Sequence, residues 1–117
     1  MVHGERKIAK IVEELTVYFF ALGADTIESK VHREGSRAVI SFLANYKEEY
    51  AHKLGQLDEY LNGPKNDGIE DVYWELAGSG DPGEASQLLL VGMMVDGAKI
   101  CMEEGYVIME LYKEKFE

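Results

Sequence analysis

The first hydrophobic pattern along the chain is that of an amphipathic helix. Between about Glu5 and Leu22, apolar residues recur at spacings of three and four. They are Ile8, Ile11, Val12, Leu15, Phe19 and Leu22. This spacing places an apolar stripe along one side of a helix that buries one face. Gly23 follows the last apolar position, where glycine commonly ends a helix. The sequence therefore predicts a helix over 5–22.

Alternating patterns, typical of strands, appear in two places. They occupy residues 25–33 with 37–45, and roughly 98–102 with 106–113. Turn-forming residues separate the members of each pair, at Glu34-Gly35-Ser36 and at Glu103-Glu104-Gly105. The run 37–45 is apolar on both faces, which is typical of a more central strand. We therefore predict two β-hairpins.

Three further helices are predicted between the hairpins. Helical periodicity covers residues 46–61, 69–77 and 85–95, and glycine- and proline-containing breaks separate the three segments. The order α-β-β-α-α-α-β-β predicts an α/β (α+β) two-layer sandwich. In this fold, helices cover one face of a roughly four-stranded, mixed or antiparallel sheet. A chain of 117 residues has room for one such domain, over 1–117.

Charge and cysteine content narrow the function classes. Twelve Lys and Arg against 22 Asp and Glu give a net charge of −10, which disfavours nucleic acid and anionic membranes as partners. The longest apolar stretch, 88–95, is too short to span a bilayer. Cys101 is the single cysteine, so neither an intramolecular disulfide nor a thiolate metal site can form. The N-terminal residues lack a signal-peptide pattern, and we expect a cytoplasmic protein.

The element order, together with local sequence, resembles the histidine-kinase-like (GHKL, Bergerat-fold) ATPase domain. Three segments carry the resemblance: 14–23 (Glu-Leu-Thr-Val-Tyr-Phe-Phe-Ala-Leu-Gly), 42–46 (Phe-Leu-Ala-Asn-Tyr) and 83–96. They stand in the frames of the family's first helix, the end of its second strand and its final helix. The resemblance covers most of the chain at the level of element order and frame, and implies a histidine-kinase-like fold.

The residues that bind nucleotide in that family are replaced here. Tyr18 stands where the family has a magnesium-chelating Asn, and a phenol is a poor ligand for that cation. Ala44 stands at the Asp that binds the adenine amino group, and Tyr46 at the glycine that follows. Ser86 and its neighbours replace the glycines that surround the phosphates. The resemblance thus implies a degenerate domain that lacks the nucleotide-binding motifs, and we expect no cofactor.

Other candidate chemistry is weak. The 78–83 loop precedes a helix, but the carboxylates of Asp81 and Glu84 favour a turn and helix cap over a phosphate site. His3, His32 and His52 lack a second ligand at metal spacing, so we expect surface histidines. The serines lack a nucleophile-elbow context, and Cys101 is interpreted as an inert structural thiol. We predict no catalytic and no metal site.

Aromatic residues make up 10% of the chain and have two interpretations. In one, Tyr18 and its neighbours fill the vacated nucleotide cavity as core. In the other, Trp74, Tyr60 and Tyr73 form a partner-binding patch, since Trp and Tyr are favoured interface anchors.

The function expected from these observations is protein–protein contact or regulation by a non-catalytic domain, with a protein partner or a homodimer. The alternative is a ligand- or nucleotide-binding domain with an altered pocket in the old ATP site. In that case Tyr18, Ala44 and Tyr46 should line an open cavity. A purely structural domain is a third hypothesis.

Overall fold

The computed structural model describes residues 3–63 and 83–114. Helices and strands follow in the order α1 (His3–Ala21), β1 (Ile27–Glu34), β2 (Arg37–Asn45), a 3₁₀ segment (Glu48–Gln56), α2 (Leu57–Asn62), α3 (Gly83–Met94), β3 (Gly97–Glu103) and β4 (Tyr106–Lys113). Both predicted hairpins and the first and last predicted helices are confirmed. The helix predicted over 69–77 lies outside the described residues.

Helix α1 ends at Ala21, two residues before the glycine that the sequence indicated. Gly23 has a φ of +85°, a left-handed conformation that favours glycine. The Ala24 N–H donates to the Phe19 carbonyl and the Gly23 N–H to the Phe20 carbonyl, both at 3.0 Å. This pair of bonds is a Schellman motif, which satisfies carbonyl groups at the end of the helix.

The continuous helix predicted over 46–61 is wrong in detail. A 3₁₀ segment comes first, and α2 begins only at Leu57. Leu54, Leu57 and Leu61 are all buried, at spacings of three and then four. The first spacing suits 3.0 residues per turn and the second 3.6. Over so short a run, hydrophobic periodicity cannot distinguish the two kinds of helix.

The sheet is antiparallel throughout, with the strand order β1-β2-β4-β3. The sequence allowed a mixed or an antiparallel sheet; the mixed alternative is wrong and the antiparallel one is confirmed. Both hairpins have two-residue turns, the connection whose primed geometry best matches strand twist. The hairpins meet along β2 and β4, so these two strands lie in the middle of the sheet. Phe42 on β2 pairs with Met109 on β4 at the centre of this contact.

One face of the sheet and the helices enclose a single hydrophobic core. The sheet contributes the alternate residues Ala38, Ile40, Phe42, Ala44, Val107, Met109 and Leu111. Helix α1 and the residue after it contribute the stripe Ile8, Ile11, Leu15, Phe19 and Leu22. Leu88, Val91 and Val95, from α3 and the residue after it, belong to the same cluster, as do Leu54, Leu57 and Leu61 from the 3₁₀ segment and α2. The two-layer α+β arrangement is confirmed, with one sheet face turned away from the core. Among the described residues, no helix combines the length and apolar character that crossing a membrane requires.

Candidate functional site

Two of the four positions matched to the ATP site lie in the core. Tyr18 is 2% exposed and Ala44 is fully buried. Tyr46 is partly buried and packs against the same cluster. The side chain of Ser86 lies outside the described part of α3.

Tyr18 is held by aromatic packing and a polar contact. Its ring meets Phe19 edge to face at 5.2 Å between centroids, and Phe19 in turn lies 5.6 Å from Phe42. The Tyr18 hydroxyl donates to the Lys53 carbonyl at 3.3 Å. A buried tyrosine usually finds such a partner for its hydroxyl. The side chain therefore fills space between α1, the sheet and the 3₁₀ segment.

The predicted aromatic patch is described only in part. Tyr73 and Trp74 lie outside the described residues. Tyr60 is half-buried against the core, and its carbonyl oxygen lies against Gly92 of α3. Its backbone thus forms part of the contact between α2 and α3.

The outward face of the sheet is a surface that sequence analysis did not single out. Register fixes two of its rows across the four strands: Glu28–Leu43–Ile108–Cys101 and Lys30–Ser41–Glu110–Lys99. The first row is apolar at its centre, while the second places a lysine at each edge strand. Ile108 and the neighbouring Tyr106 are each 37% exposed. The face thus has an apolar centre beside a charged row.

Two adjoining shallow clefts follow the apolar centre of this face. They have volumes of about 600 and 500 Å³ and share Glu28, Leu43 and Ile108 in their walls. Tyr106 closes one end of the first cleft, and Ser41 and Glu110 lie in the second. Both clefts open broadly to solvent, which suits an extended protein surface better than an enclosed small molecule.

One corner of the open face is built around a stacked arginine. The Arg37 guanidinium carbon lies 4.1 Å from the centroid of the Tyr112 ring, within cation–π distance. The Tyr112 hydroxyl donates to Glu110 at 2.6 Å. Arg37 Nε lies 3.0 Å from Glu114 Oε1, yet its N–H direction makes no hydrogen bond. Among the described residues, charge attraction to Glu114 and stacking on Tyr112 hold this side chain.

A polar cluster fixes the entrance to β1. Asn45 Oδ1 accepts from the backbone N–H groups of Asp25 and Thr26, at 2.9 and 3.1 Å. Asn45 Nδ2 donates to the Asp25 carboxylate at 2.6 Å. This hydrogen bond, aided by one from the Thr26 hydroxyl, holds the pKa of Asp25 below its usual range. The cluster is exposed and anchors one end of the sheet.

Glu14 is the one polar or charged side chain that the described residues bury, at 7% exposure. Lys10 Nζ lies 3.0 Å from its carboxylate and 2.8 Å from that of Glu13. Hydrogen bonds to Glu13 and Glu14 raise the pKa of Lys10, and the same contact with Lys10 lowers that of Glu13. The buried carboxylate of Glu14 is thus paired with a lysine one turn away on the same helix.

The remaining candidate residues are dispersed. His32 and His52 are exposed, and the side chain of His3 is outside the described part. Cys101 is exposed on the open face, on the side opposite Ile100 and Met102 as its strand position predicts. Within residues 3–63 and 83–114, no three His, Cys, Asp or Glu side chains are grouped to hold a metal ion.

Comparisons of the chain with protein-family models, curated proteins and solved structures found no match in any of the three. The histidine-kinase-like resemblance therefore stays a prediction that rests on element order and frame.

The open face carried a signal in the sequence. Residues 39 and 43 on β2 and 106, 108 and 112 on β4 are apolar or aromatic, although they alternate with the core-facing positions. A strand that is apolar on both faces is usually covered on both. Within residues 3–63 and 83–114, these second-face positions are half-buried or exposed, so the same pattern marks a candidate binding surface.

Proposed function

We propose that this chain is a non-catalytic domain that acts by contact with another protein. The observation that supports this most is the burial of Tyr18 and Ala44, the positions matched to magnesium and adenine binding. A nucleotide pocket needs a cavity with convergent polar groups. At these two positions core side chains occupy the space. The two clefts that share Glu28, Leu43 and Ile108 lie on the other face of the sheet.

The open sheet face is the surface we assign to the partner. Its apolar centre and charged margin follow the usual anatomy of a protein interface. Lys30 and Lys99 end one row, roughly 14 Å apart across three strand spacings. Glu28 and Glu110 stand nearer the apolar centre. The partner that fits is a protein surface with an apolar strip bordered by charges of both signs, with carboxylates opposite the two lysines.

The absence of nucleotide binding is tested by thermal unfolding with and without millimolar ATP or ADP and magnesium. We expect the midpoint temperature to stay constant, because a ligand raises it only when it binds the folded state. Magnesium alone and nucleotide alone control for ionic strength. A reproducible rise with the complete mixture would overturn the non-catalytic proposal and require assays of hydrolysis and phosphotransfer.

The surface is tested by co-purification from a native cell extract with Ile108→Lys. Phe20→Lys is the matched control, because Phe20 is 60% exposed on α1, away from the open face. We expect a protein that co-purifies with the wild type and with Phe20→Lys, and is lost with Ile108→Lys. Equal capture by both variants, or loss with Phe20→Lys alone, would contradict the assignment.

The alternative, a ligand- or nucleotide-binding domain with an altered pocket, ranks second. It requires an opening beside Tyr18 and Ala44, whose side chains are buried. A cytoplasmic location belongs to the main proposal, since a lone cysteine suits a reducing compartment.

A further inference from the structure

The two edges of the sheet differ in how they are protected. At the β3 edge, the Asn62 side chain donates to the Ala98 carbonyl at 2.9 Å and accepts from its N–H at 2.8 Å. It thereby takes the place of a neighbouring strand. Among the described residues, no strand pairs with the outer side of β1. An unpaired edge of this length can accept another chain.

The backbone of β1 has its odd-numbered residues directed to that outer side. The Thr26 carbonyl accepts from the Asn45 N–H, so the even-numbered residues bond to β2. The N–H and C=O groups of Ile27, Ser29 and Val31 therefore point away from β2. Val31 is also 47% exposed on the side of the sheet that carries the helices.

We propose that β1 pairs with β1 of a second copy of this chain, antiparallel and with Ser29 on the two-fold axis. In this register Glu28 lies opposite Lys30 of the other copy, and Ile27 lies opposite Val31. Each pair occurs twice by symmetry. Opposite charges and apolar residues directly across a strand pair stabilise it. The result is a continuous eight-stranded sheet.

Neighbouring registers lack this complementarity. Opposite residues in an antiparallel pair point to the same face, so the register can shift only in steps that keep odd opposite odd. Moving the two-fold axis from Ser29 to Lys30 places Lys30 opposite Lys30. Moving it on to Val31 places Glu28 opposite Glu34. Moving the axis the other way, to Glu28, places Glu28 opposite Glu28. Like charges directly opposite are destabilising, so the sequence of β1 favours the axis at Ser29.

This inference is separate from the partner surface, because edge pairing leaves the open faces of both copies accessible. A dimer would place the two faces side by side in one sheet. Failure of the dimer would leave the proposed protein contact standing, and failure of the nucleotide or capture experiments would leave the dimer standing.

The first test is sedimentation equilibrium of the full chain over a wide concentration range. We expect a reversible monomer–dimer equilibrium, with a dimer of twice the 13.2 kDa chain mass. Lys30→Glu should raise the dimer Kd at least about tenfold, because it places Glu28 opposite a second acid twice. The double variant Glu28→Lys, Lys30→Glu should restore the wild-type Kd. Lys7→Glu on α1 is the matched control and should leave the Kd unchanged.

Three outcomes would overturn the proposal. A wild-type chain that stays monomeric up to about 1 mM has no such dimer, since that limit corresponds to negligible association. A dimer that Lys30→Glu leaves intact uses another surface. A double variant that fails to recover the dimer shows that Glu28 and Lys30 do not face each other.

The second test reads the axis directly and does not depend on a Kd. In a Cys101→Ser background, Ser29→Cys should form an intermolecular disulfide on mild oxidation. Hydrogen-bonded antiparallel pairs have Cα atoms about 5.5 Å apart, within the range that a disulfide spans. Ser36→Cys, in the exposed turn after β1, is the control and should stay monomeric. Equal cross-linking at both positions would contradict the register.

Discussion

At the scale of single residues, Asn45 does most to define where β1 begins. Its side chain accepts hydrogen bonds from two backbone N–H groups and donates one to the Asp25 carboxylate. Asp25 is fully exposed, so solvent screens the contact, and its signature is a shifted pKa. The folded pKa lies below the usual 3.8. The contribution to stability is therefore present above that value and is lost as the pH falls through the folded pKa.

Removal of the Asn45 amide should raise the pKa of Asp25. In Asn45→Ala the carboxylate loses its strongest hydrogen bond, and we expect the pKa to return towards 3.8. A carbon-detected NMR titration of the Asp25 carboxyl group measures this. Thr26→Val is the control and should give a smaller rise, because the threonine hydroxyl is the second contributor. An unchanged pKa in Asn45→Ala would mean that the amide does not bind the carboxylate in solution.

Gly92 shows how one residue sets the distance between two helices. A Cβ added there would lie 2.1 Å from the Tyr60 carbonyl oxygen and 3.1 Å from its carbon. These are backbone atoms of α2, so a side-chain rotation cannot relieve the contact. Alanine is worth up to about 1 kcal/mol over glycine in a helix, but here the steric conflict is larger than that gain.

We expect Gly92→Ala to lower the free energy of unfolding by about 1–3 kcal/mol, as overpacking does. Urea denaturation monitored by circular dichroism measures the change. Gly55→Ala is the matched control, because a Cβ at Gly55 meets no atom within 4 Å. It should leave the free energy of unfolding unchanged or raise it by up to about 1 kcal/mol. A stabilised Gly92→Ala would show that α2 and α3 can move apart at little cost.

At the scale of elements, sequence patterns predicted the hairpins more accurately than the helix between them. Turn residues and period-two alternation fixed β1, β2 and β4 to within two residues at either end. The 3₁₀ segment was missed because its one buried leucine, Leu54, together with Leu57 and Leu61 of α2, also fits an α-helix over a short span. The role of Asn62 in protecting the β3 edge could not be predicted from the sequence, because it depends on where α2 meets β3 in space.

Asn62 should control hydrogen exchange at one backbone amide. The Ala98 N–H points away from β4 and donates to Asn62 Oδ1. In Asn62→Ala this amide loses its acceptor, and we expect its exchange rate to rise at least about tenfold through local opening. The Lys99 amide, directed towards β4, should keep its rate. Asp58→Ala is the control, because it removes only the contact between Asp58 and the Asn62 amide.

The outcome that would contradict this interpretation is equal acceleration at Ala98 and Lys99. Such a result would mean that Asn62 stabilises the whole hairpin rather than protecting its outer edge.

At the scale of the whole molecule, the sequence predicted a layer of helices and a layer of strands, but left the free surface unassigned. Composition bore on the partner only through the net charge of −10, which disfavours nucleic acid and anionic membranes. Composition alone could not show which apolar residues of β4 face the core and which face solvent. Adjacent apolar residues on β4 are chemically alike and differ only in the face of the sheet on which they lie. The family resemblance directed attention to Tyr18 and Ala44, which are in the core.

The two-layer arrangement makes adjacent residues on β4 respond in opposite ways to the same substitution. Met109 is 1% exposed and Ile108 is 37% exposed. Met109→Lys places an unpaired charge in the core and should cost more than about 4 kcal/mol, enough to unfold most of the chain. Ile108→Lys should change the free energy of unfolding by no more than about 0.5 kcal/mol. Urea denaturation at one protein concentration compares the two. If Ile108→Lys were as damaging as Met109→Lys, the second face would be covered by the chain itself, and it could not serve as a surface for a partner.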